Sequence, residues 1–218
     1  AMELAREKTL AGVHVTVTAG PTQEALDPVR YLTNHSSGRM GYAIAREAAL
    51  RGAEVTLISG PTALAAPMGV TVKPVVSARD MLEAVQDTLP GTDILIKAAA
   101  VADYRPAAVS EHKMKKGDGE LTLPLARTED ILQWVAEHRH PGLFVCGFSM
   151  ETRDLIENSR AKLERKHLDM IAANSLCTEG AGFGVATNVV TLLTPEGAEQ
   201  LPLLGKDEVA ARLLDAIE

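Results

Sequence analysis

The sequence predicts an α/β fold: a doubly wound, mostly parallel, Rossmann-like sheet with a flap segment, which the resemblance given below extends to a flap/dimerisation segment, and a C-terminal hairpin. Three observations predict it. Short apolar runs alternate with helix-period runs from Val13 to Lys97, the rhythm of strand, helix, strand. That regularity breaks after Ala98. Near the end, Thr187 to Thr194 and Glu199 to Leu203 flank Pro195-Glu196-Gly197, a hairpin pattern. A chain of 218 residues is long enough for a full core and fits one domain, with residues 1–11 read as a linker or remnant ahead of it.

The elements follow in order. Val13 to Thr18 reads as a buried strand. Gly38 to Arg51 is a helix with Tyr42, Ile44, Ala45, Ala48 and Ala49 facing inward and Gly52 as its stop. Glu54 to Ile58 is the second strand, turned by Ser59-Gly60-Pro61. Val70 to Val76 is the third, after which Ser77 caps a helix carrying Met81, Leu82 and Val85. Pro90-Gly91 leads into the fourth, Asp93 to Lys97. Leu121 to Leu125 alternates like a strand, and Ile131 to His138 reads as a helix. Leu143 to Phe148 is a very apolar strand. Leu155, Ile156, Ser159 and Leu163 mark a helix ending near Lys166, Asp169 to Ala173 is a further strand, and Asp207 to Ile217 is a closing amphipathic helix.

Composition narrows the function. Apolar residues make up 46% and aromatics only 3%, so the core must be built from Ala, Val, Leu and Ile. A net charge of −7 argues against general nucleic-acid affinity, which needs a basic face. An anionic ligand must then be met by locally concentrated Arg and Lys. Cys146 and Cys177 make neither a disulfide framework nor a zinc cluster, and Cys146 lies in an apolar run that reads as core. No signal peptide and no apolar run near 18 residues stands out, so the expected setting is cytoplasmic, with no membrane partner.

The stretch from Thr18 to Gly41 organises the rest. It joins the first strand to the first helix, beyond the carboxyl end of a parallel strand, where open sheets bind ligands. It is about three times longer than such connections need. Within it, Ser36-Ser37-Gly38-x-x-Gly41 puts small residues at a helix start, which suits phosphate; ordinary Ser capping and close packing by Gly are the alternative. Arg30 offers a planar fork for a carboxylate or phosphate, and Asn34 an amide that steadies a developing oxyanion. Ala98 to Ala102 is small enough for a flat ring or sugar to approach the backbone, and Asp103 supplies an acceptor for hydroxyls; a simple tight turn is the alternative. Lys113-x-Lys115-Lys116 before Gly117-Asp118-Gly119 reads as a mobile basic flap or as a solvated face. Lys162 and Lys166 share a helix face, a placement also favoured near a helix C-terminus.

Taken together, Thr18-Ala-Gly-Pro-Thr, Asp27-Pro-Val-Arg-Tyr, Thr33-Asn-His-Ser-Ser-Gly, Ala98-Ala-Ala-Val-Ala-Asp-Tyr and Lys113-x-Lys-Lys resemble bacterial phosphopantothenate–cysteine ligase, over about Leu10 to Ile217. In many bacteria that ligase is fused behind a flavin-dependent decarboxylase. The resemblance implies a reaction in which CTP activates the carboxylate of 4′-phosphopantothenate as an acyl-cytidylate with loss of pyrophosphate, after which L-cysteine displaces CMP. It implies Mg²⁺, with metal ligands unassigned, and a homodimer to which the irregular segment from about Tyr104 to Arg127 contributes. Lys113 would serve the first step and Asn34 the second, with Arg30 and Ala100 beside Asn34 in binding the acyl substrate. The nucleotide contacts implied are Ala99, Ala100, Asp103, Lys113, Asp130, Ile131, Phe148, Lys162 and Lys166.

The chain departs from the family pattern at Thr128-Glu129, where Asn-Pro is usual, at Asn174-Ser175, where Asn-Asp is usual, and in Gly182 to Ala186. Lys97 sits just before the alanine run. A nicotinamide-dependent short-chain oxidoreductase shares the sheet, but Tyr31, Tyr42 and Tyr104 each lack a lysine four residues on, and no G-x-G-x-x-G follows the first strand. A non-catalytic dimerising module of a flavoprotein is the other alternative.

Overall fold

A computed structural model describes residues 7–117, 119–151, 154–175 and 185–218. The first strand, β1 (His14–Ala19), leads into a small ribbon of β2 (Gln23–Ala25) and β3 (Tyr31–Thr33), then α1 (Arg39–Leu50). Next come β4 (Glu54–Ser59), β5 (Val70–Pro74), α2 (Ala78–Thr88) and a single 3₁₀ turn over Leu89–Gly91. The middle of the chain holds β6 (Ile94–Lys97), β7 (Tyr104–Pro106), β8 (Leu125–Arg127) and α3 (Ile131–His138). It continues with β9 (Phe144–Glu151), α4 (Leu155–Arg165) and β10 (Met170–Ser175). The last elements are β11 (Thr187–Asn188), β12 (Val190–Leu193), β13 (Ala198–Gln200), β14 (Leu204–Gly205) and α5 (Lys206–Asp215).

Eight strands form one sheet in the order β13-β12-β10-β9-β6-β1-β4-β5. The six from β10 to β5 are parallel, and β12 and β13 add an antiparallel edge, a hairpin shorter than expected because Thr187–Asn188 pairs with Leu204–Gly205 instead. The chain winds outward from β1 in both directions, to β4 on one side and β6 on the other. That reversal makes a topological switch point at the carboxyl ends of β1 and β6. The alternation of β6 sorts its side chains between two cores: Ile94 and Ile96 join the cluster with Ile44 and Leu213, whereas Leu95 joins Met81, Ile131 and Leu163. Helices α1 and α5 thus cover one face, and α2, α3 and α4 the other.

Local chemistry sets the helix ends. Ser77 Oγ accepts from Asp80 N–H and the Asp80 carboxylate accepts from Ser77 N–H, a capping box that starts α2. Asp130 caps α3 through Gln133 N–H at 3.0 Å. Gly52, at φ +90°, follows the last turn of α1 as expected. Of the inward set expected in α1, Ile44, Ala45 and Ala48 are buried, while Tyr42 and Ala49 are half-buried. Glu47 is buried as well, held by Arg51 at 3.1 Å.

Two expectations need correcting. The Thr18 to Gly41 connection is not plain loop, because β2 and β3 fold back on each other across Asp27, whose Oδ1 accepts from both Val29 and Arg30 N–H at 2.8 Å. An aspartate that closes a turn through the N–H groups just after it is a readable signal. Leu121 to Leu125 is not a strand over its length: pairing begins at Leu125 and runs to Arg127 against Tyr104–Pro106. Cys146 is buried, as expected, and burial pushes its thiol up to about 12. Cys177 and Gly182 to Gly184 lie outside the described residues.

Candidate functional site

Two clefts open beside the switch point, one on each face of the sheet. The first is lined by Ser36 to Gly41, by Ala98, Ala99 and Ala100, and by Phe148, Asn174, Asn188 and Lys206. Its floor is the start of α1. Gly38 caps that helix in the left-handed region (φ +76°), and no side chain caps the first turn. The serine cap that was the alternative is absent there; Ser36 Oγ accepts instead from Gly38 N–H at 3.3 Å. Gly41 serves packing, since a Cβ there would come within 2.5 Å of Ala19 Cβ. Small residues therefore leave helix N–H groups and the positive dipole end facing the cleft. Asn188 Nδ2 donates to Asn174 Oδ1 at 2.9 Å, and Lys206 Nζ donates to Val185 O at 2.7 Å. Burial, aided by Arg39, lowers the Lys206 ammonium from its ordinary value.

The second cleft lies on the α3 and α4 side and is lined by Lys97, Asp103, Thr128, Asp130, Ile131, Lys162 and Lys166 among others. Lys166 Nζ pairs with Asp130 Oδ2 at 2.8 Å. Partial desolvation opposes ionisation of Asp130, yet Lys166 and the Gln133 N–H hold its carboxyl below the ordinary value. Thr128, one of the departures, has a clear role: its hydroxyl donates to Ala102 O at 2.6 Å and its N–H to Asp103 O at 3.0 Å, fixing the Asp103 turn. Burial pushes the Lys97 ammonium down to about 8, with Lys162 adding to the effect and Asp130 and Asp103 opposing it. Lys97 is not among the residues expected at the site. Its signal was an Ile-Leu-Ile-Lys strand, where a lysine stands at a position that alternation sends to the covered face.

The residues expected to bind nucleotide divide between the clefts. Asp103, Asp130, Ile131, Lys162 and Lys166 line the second, while Ala99, Ala100 and Phe148 line the first. Lys162 Nζ donates to Phe148 O at 2.9 Å and so spans the ridge between them. The alanine run is held in place by β1 and its loop: Ala99 N–H donates to Thr18 Oγ1 at 3.2 Å and Ala100 N–H to Gly20 O at 2.9 Å. Asn34 belongs to the same ridge. Its Nδ2 donates to Ala100 O at 2.6 Å and its Oδ1 accepts from Ser36 N–H at 3.1 Å.

Arg30 and Lys113 stand apart from both clefts. The Arg30 guanidinium faces Asp27, with Nη2 2.5 Å and Nε 3.0 Å from Oδ2, and Nη2 also donates to Met114 O at 2.7 Å. Arg30 and the N–H groups of Val29 and Met114 hold the Asp27 carboxyl well below the usual carboxylate range against the cost of burial. Lys113 is exposed and lines neither cleft.

A switch-point site flanked by two cationic clefts defines a doubly wound α/β domain suited to holding two anionic ligands against one ridge. The pattern of the DNA/pantothenate metabolism flavoprotein C-terminal domain matches residues 10–218, and the chain belongs to that family. The coenzyme A biosynthesis bifunctional protein CoaBC of Bacillus subtilis (strain 168) is 49% identical over 210 residues, covering 95% of this chain and 52% of that protein. CoaBC of Vibrio vulnificus (strain YJ016) is 45% identical over 213 residues, 97% of this chain and 53% of that protein. The chain thus spans about half the length of the curated relatives it matches. Among solved structures, the C-terminal domain of CoaBC superposes with a TM-score of 0.83 at 44% identity, over 97% of this chain and 96% of that one.

Proposed function

We propose that this domain is a phosphopantothenate–cysteine ligase acting in coenzyme A biosynthesis, with CTP as the activating nucleotide. One observation carries the reading: two clefts for anions flank the run from Lys97 to Asp103, the first lined by Ala98 to Ala100 and the second by Lys97 and by Val101 to Asp103. The helix start at Gly38 to Gly41 suits the phosphate of 4′-phosphopantothenate. The second cleft suits the nucleotide, with Asp103 toward its hydroxyls and Lys162 and Lys166 toward its phosphates. The carboxylate then meets the α-phosphorus over the alanines, where small side chains permit close approach. Carboxylate oxygen bonds to phosphorus and pyrophosphate leaves. The amine of cysteine next bonds to the acyl carbon and CMP leaves.

In this reading Asn34 orients the acyl group from the ridge, and Arg30 acts by rooting the Lys113 arm that closes over the triphosphate. Among the described residues no group of three or more His, Cys, Asp or Glu could hold a metal ion. Mg²⁺ typically binds through substrate phosphates plus one or two carboxylates, and bound with the triphosphate it would supply neutralising charge. Exposed Tyr31, Tyr104 and Leu125 lie on the two small ribbons, which touch through β2 and β7, with exposed Val29 and Val109 in the loops beside them, and a homodimer would bury them. The reading also takes in one domain throughout, a cytoplasmic setting and fusion to a flavin-dependent decarboxylase. Pyrophosphate release, measured with 4′-phosphopantothenate and each nucleoside triphosphate in turn, tests it. Release with CTP but not with the others is expected; no release with any nucleotide overturns the reading.

A further inference from the structure

We propose that Lys97 is a phosphate-binding residue of the second cleft, acting with Lys162 on one phosphate group of the nucleotide. The identity of that nucleotide rests on the ligase reading; the need for an anion rests on the cleft itself.

Lys97 ends β6, paired with Thr18 of β1 and Gly147 of β9. It follows Leu95 on the face covered by α3 and α4 and opens into the cleft between them. The neighbouring Gly147 carries no side chain, and one there would meet Leu168 Cδ1 at 2.9 Å, so Lys97 is the side chain that reaches outward at this level. The cleft is lined by five basic residues (Lys97, Arg127, Lys162, Arg165, Lys166) against three acidic ones (Asp103, Glu129, Asp130). Two of those acids are already engaged: Asp130 by Lys166 at 2.8 Å and Glu129 by Arg79 at 3.0 Å. Positive charge thus exceeds negative in one place on a chain of net charge −7.

Lys97 makes neither a hydrogen bond nor an ion pair with another described residue. A half-buried ammonium held beside Lys162, with Asp103 and Asp130 near but in no ion pair with it, is less favourable alone than with an anion bound beside it. A phosphate between the two ammonium groups relieves their repulsion and restores hydrogen bonds lost with water. Binding is therefore linked to protonation. The free group titrates near 8, and a bound phosphate raises it, so the complex takes up a proton just above that pH and affinity falls as pH rises further. Asp103, Asp130, Lys162 and Lys166 bear on this charge in both states, with Arg127, Glu129 and Arg165 at the rim.

The test is calorimetric titration of the whole chain with CTP and separately with inorganic pyrophosphate, at pH 7 and pH 8.5, in buffers of different ionisation enthalpy. The wild type is expected to take up a proton at pH 8.5. Lys97→Met should bind about tenfold more weakly at pH 7 and lose the uptake. Lys97→Arg, charged at every pH used, should keep the affinity without the uptake. If Lys97→Met binds both probes like the wild type with the same uptake, the proposal is overturned and the ligase reading stands. Lys97-dependent binding of pyrophosphate without binding of any nucleotide upholds the anion contact and removes the nucleotide from it. A wild type that binds neither probe overturns both.

Discussion

Arg30 Nη2 sits 2.5 Å from Asp27 Oδ2, and together the two residues grip the Met114 backbone, one donating to its carbonyl and the other accepting from its N–H. The arm that carries Lys113 therefore has a fixed root.

Asp27→Asn should loosen that root. An amide keeps an acceptor for the turn but loses the ion pair with Arg30. Faster exchange of the Met114 amide and earlier cleavage within residues 108–124 under limited proteolysis are expected; unchanged exchange would show that Arg30 alone holds the arm. The pH dependence has a definite sign. Asp27 is depressed below its ordinary 3.8, so its stabilisation is fully present above that value and is lost only as pH falls below it. Protection of Met114 should accordingly be flat from pH 7 to about 4.5 once intrinsic exchange is corrected.

Lys113→Gln and Asn34→Asp should separate the two proposed half-reactions. The first removes the closing charge and is expected to stop acyl-cytidylate formation. The second replaces an amide donor with a carboxylate oxygen facing Ala100 O, and is expected to let the intermediate accumulate. Mass spectrometry of reactions without and then with cysteine reads both; identical behaviour of the two variants refutes the division of roles.

The parallel sheet was legible because its strands are buried runs with regular helices between, and the placements of α2 and α3 follow directly from Ser77 and from the Ile131 to His138 period. What escaped was either very short or depended on partners distant in sequence. The β2 and β3 ribbon is only three residues a side, too short for a period, and is set by the Asp27 turn. Within the site, the alanine ridge and the Lys162 and Lys166 pair were readable from residue type and spacing. The division into two clefts was not, because it depends on which face of the sheet each residue reaches. Lys97 shows the same limit: it ends strand β6, and its neighbour in the cleft, Lys162, comes from α4, 65 residues further along the chain.

Gly41→Ala tests the closeness of α1 to β1. Alanine favours a helix interior by about 1 kcal/mol over glycine. Here the added methyl would lie 2.5 Å from Ala19 Cβ, and overpacking of that kind costs about 1–3 kcal/mol. A lowered Tm is expected, with partial recovery in the double variant carrying Ala19→Gly. A rise in Tm for the single change would show that the helix shifts freely.

Arg51→Met removes the guanidinium that joins buried Glu47 (3.1 Å) to Asp215 (2.7 Å) and Glu218 (2.9 Å). Breaking a buried pair from one side costs about 3–5 kcal/mol, far more than an exposed pair. Urea unfolding should show that loss, whereas pyrophosphate release per folded molecule should be unchanged, since the network lies at the opposite end of α1 from the first cleft.

Arg51 does one thing more through its neighbours. Glu218 Oε1 also accepts from Thr9 Oγ1 at 2.7 Å, and Leu10 N–H donates to Arg51 O at 3.0 Å, so the beginning and end of the described chain share one anchor. That anchor sits about 20 Å of helix away from Gly38. A peptide joining the two ends of the described chain would lie on the side away from Gly38, so a circular permutant opened at Pro195-Glu196-Gly197, in the turn between β12 and β13, should fold.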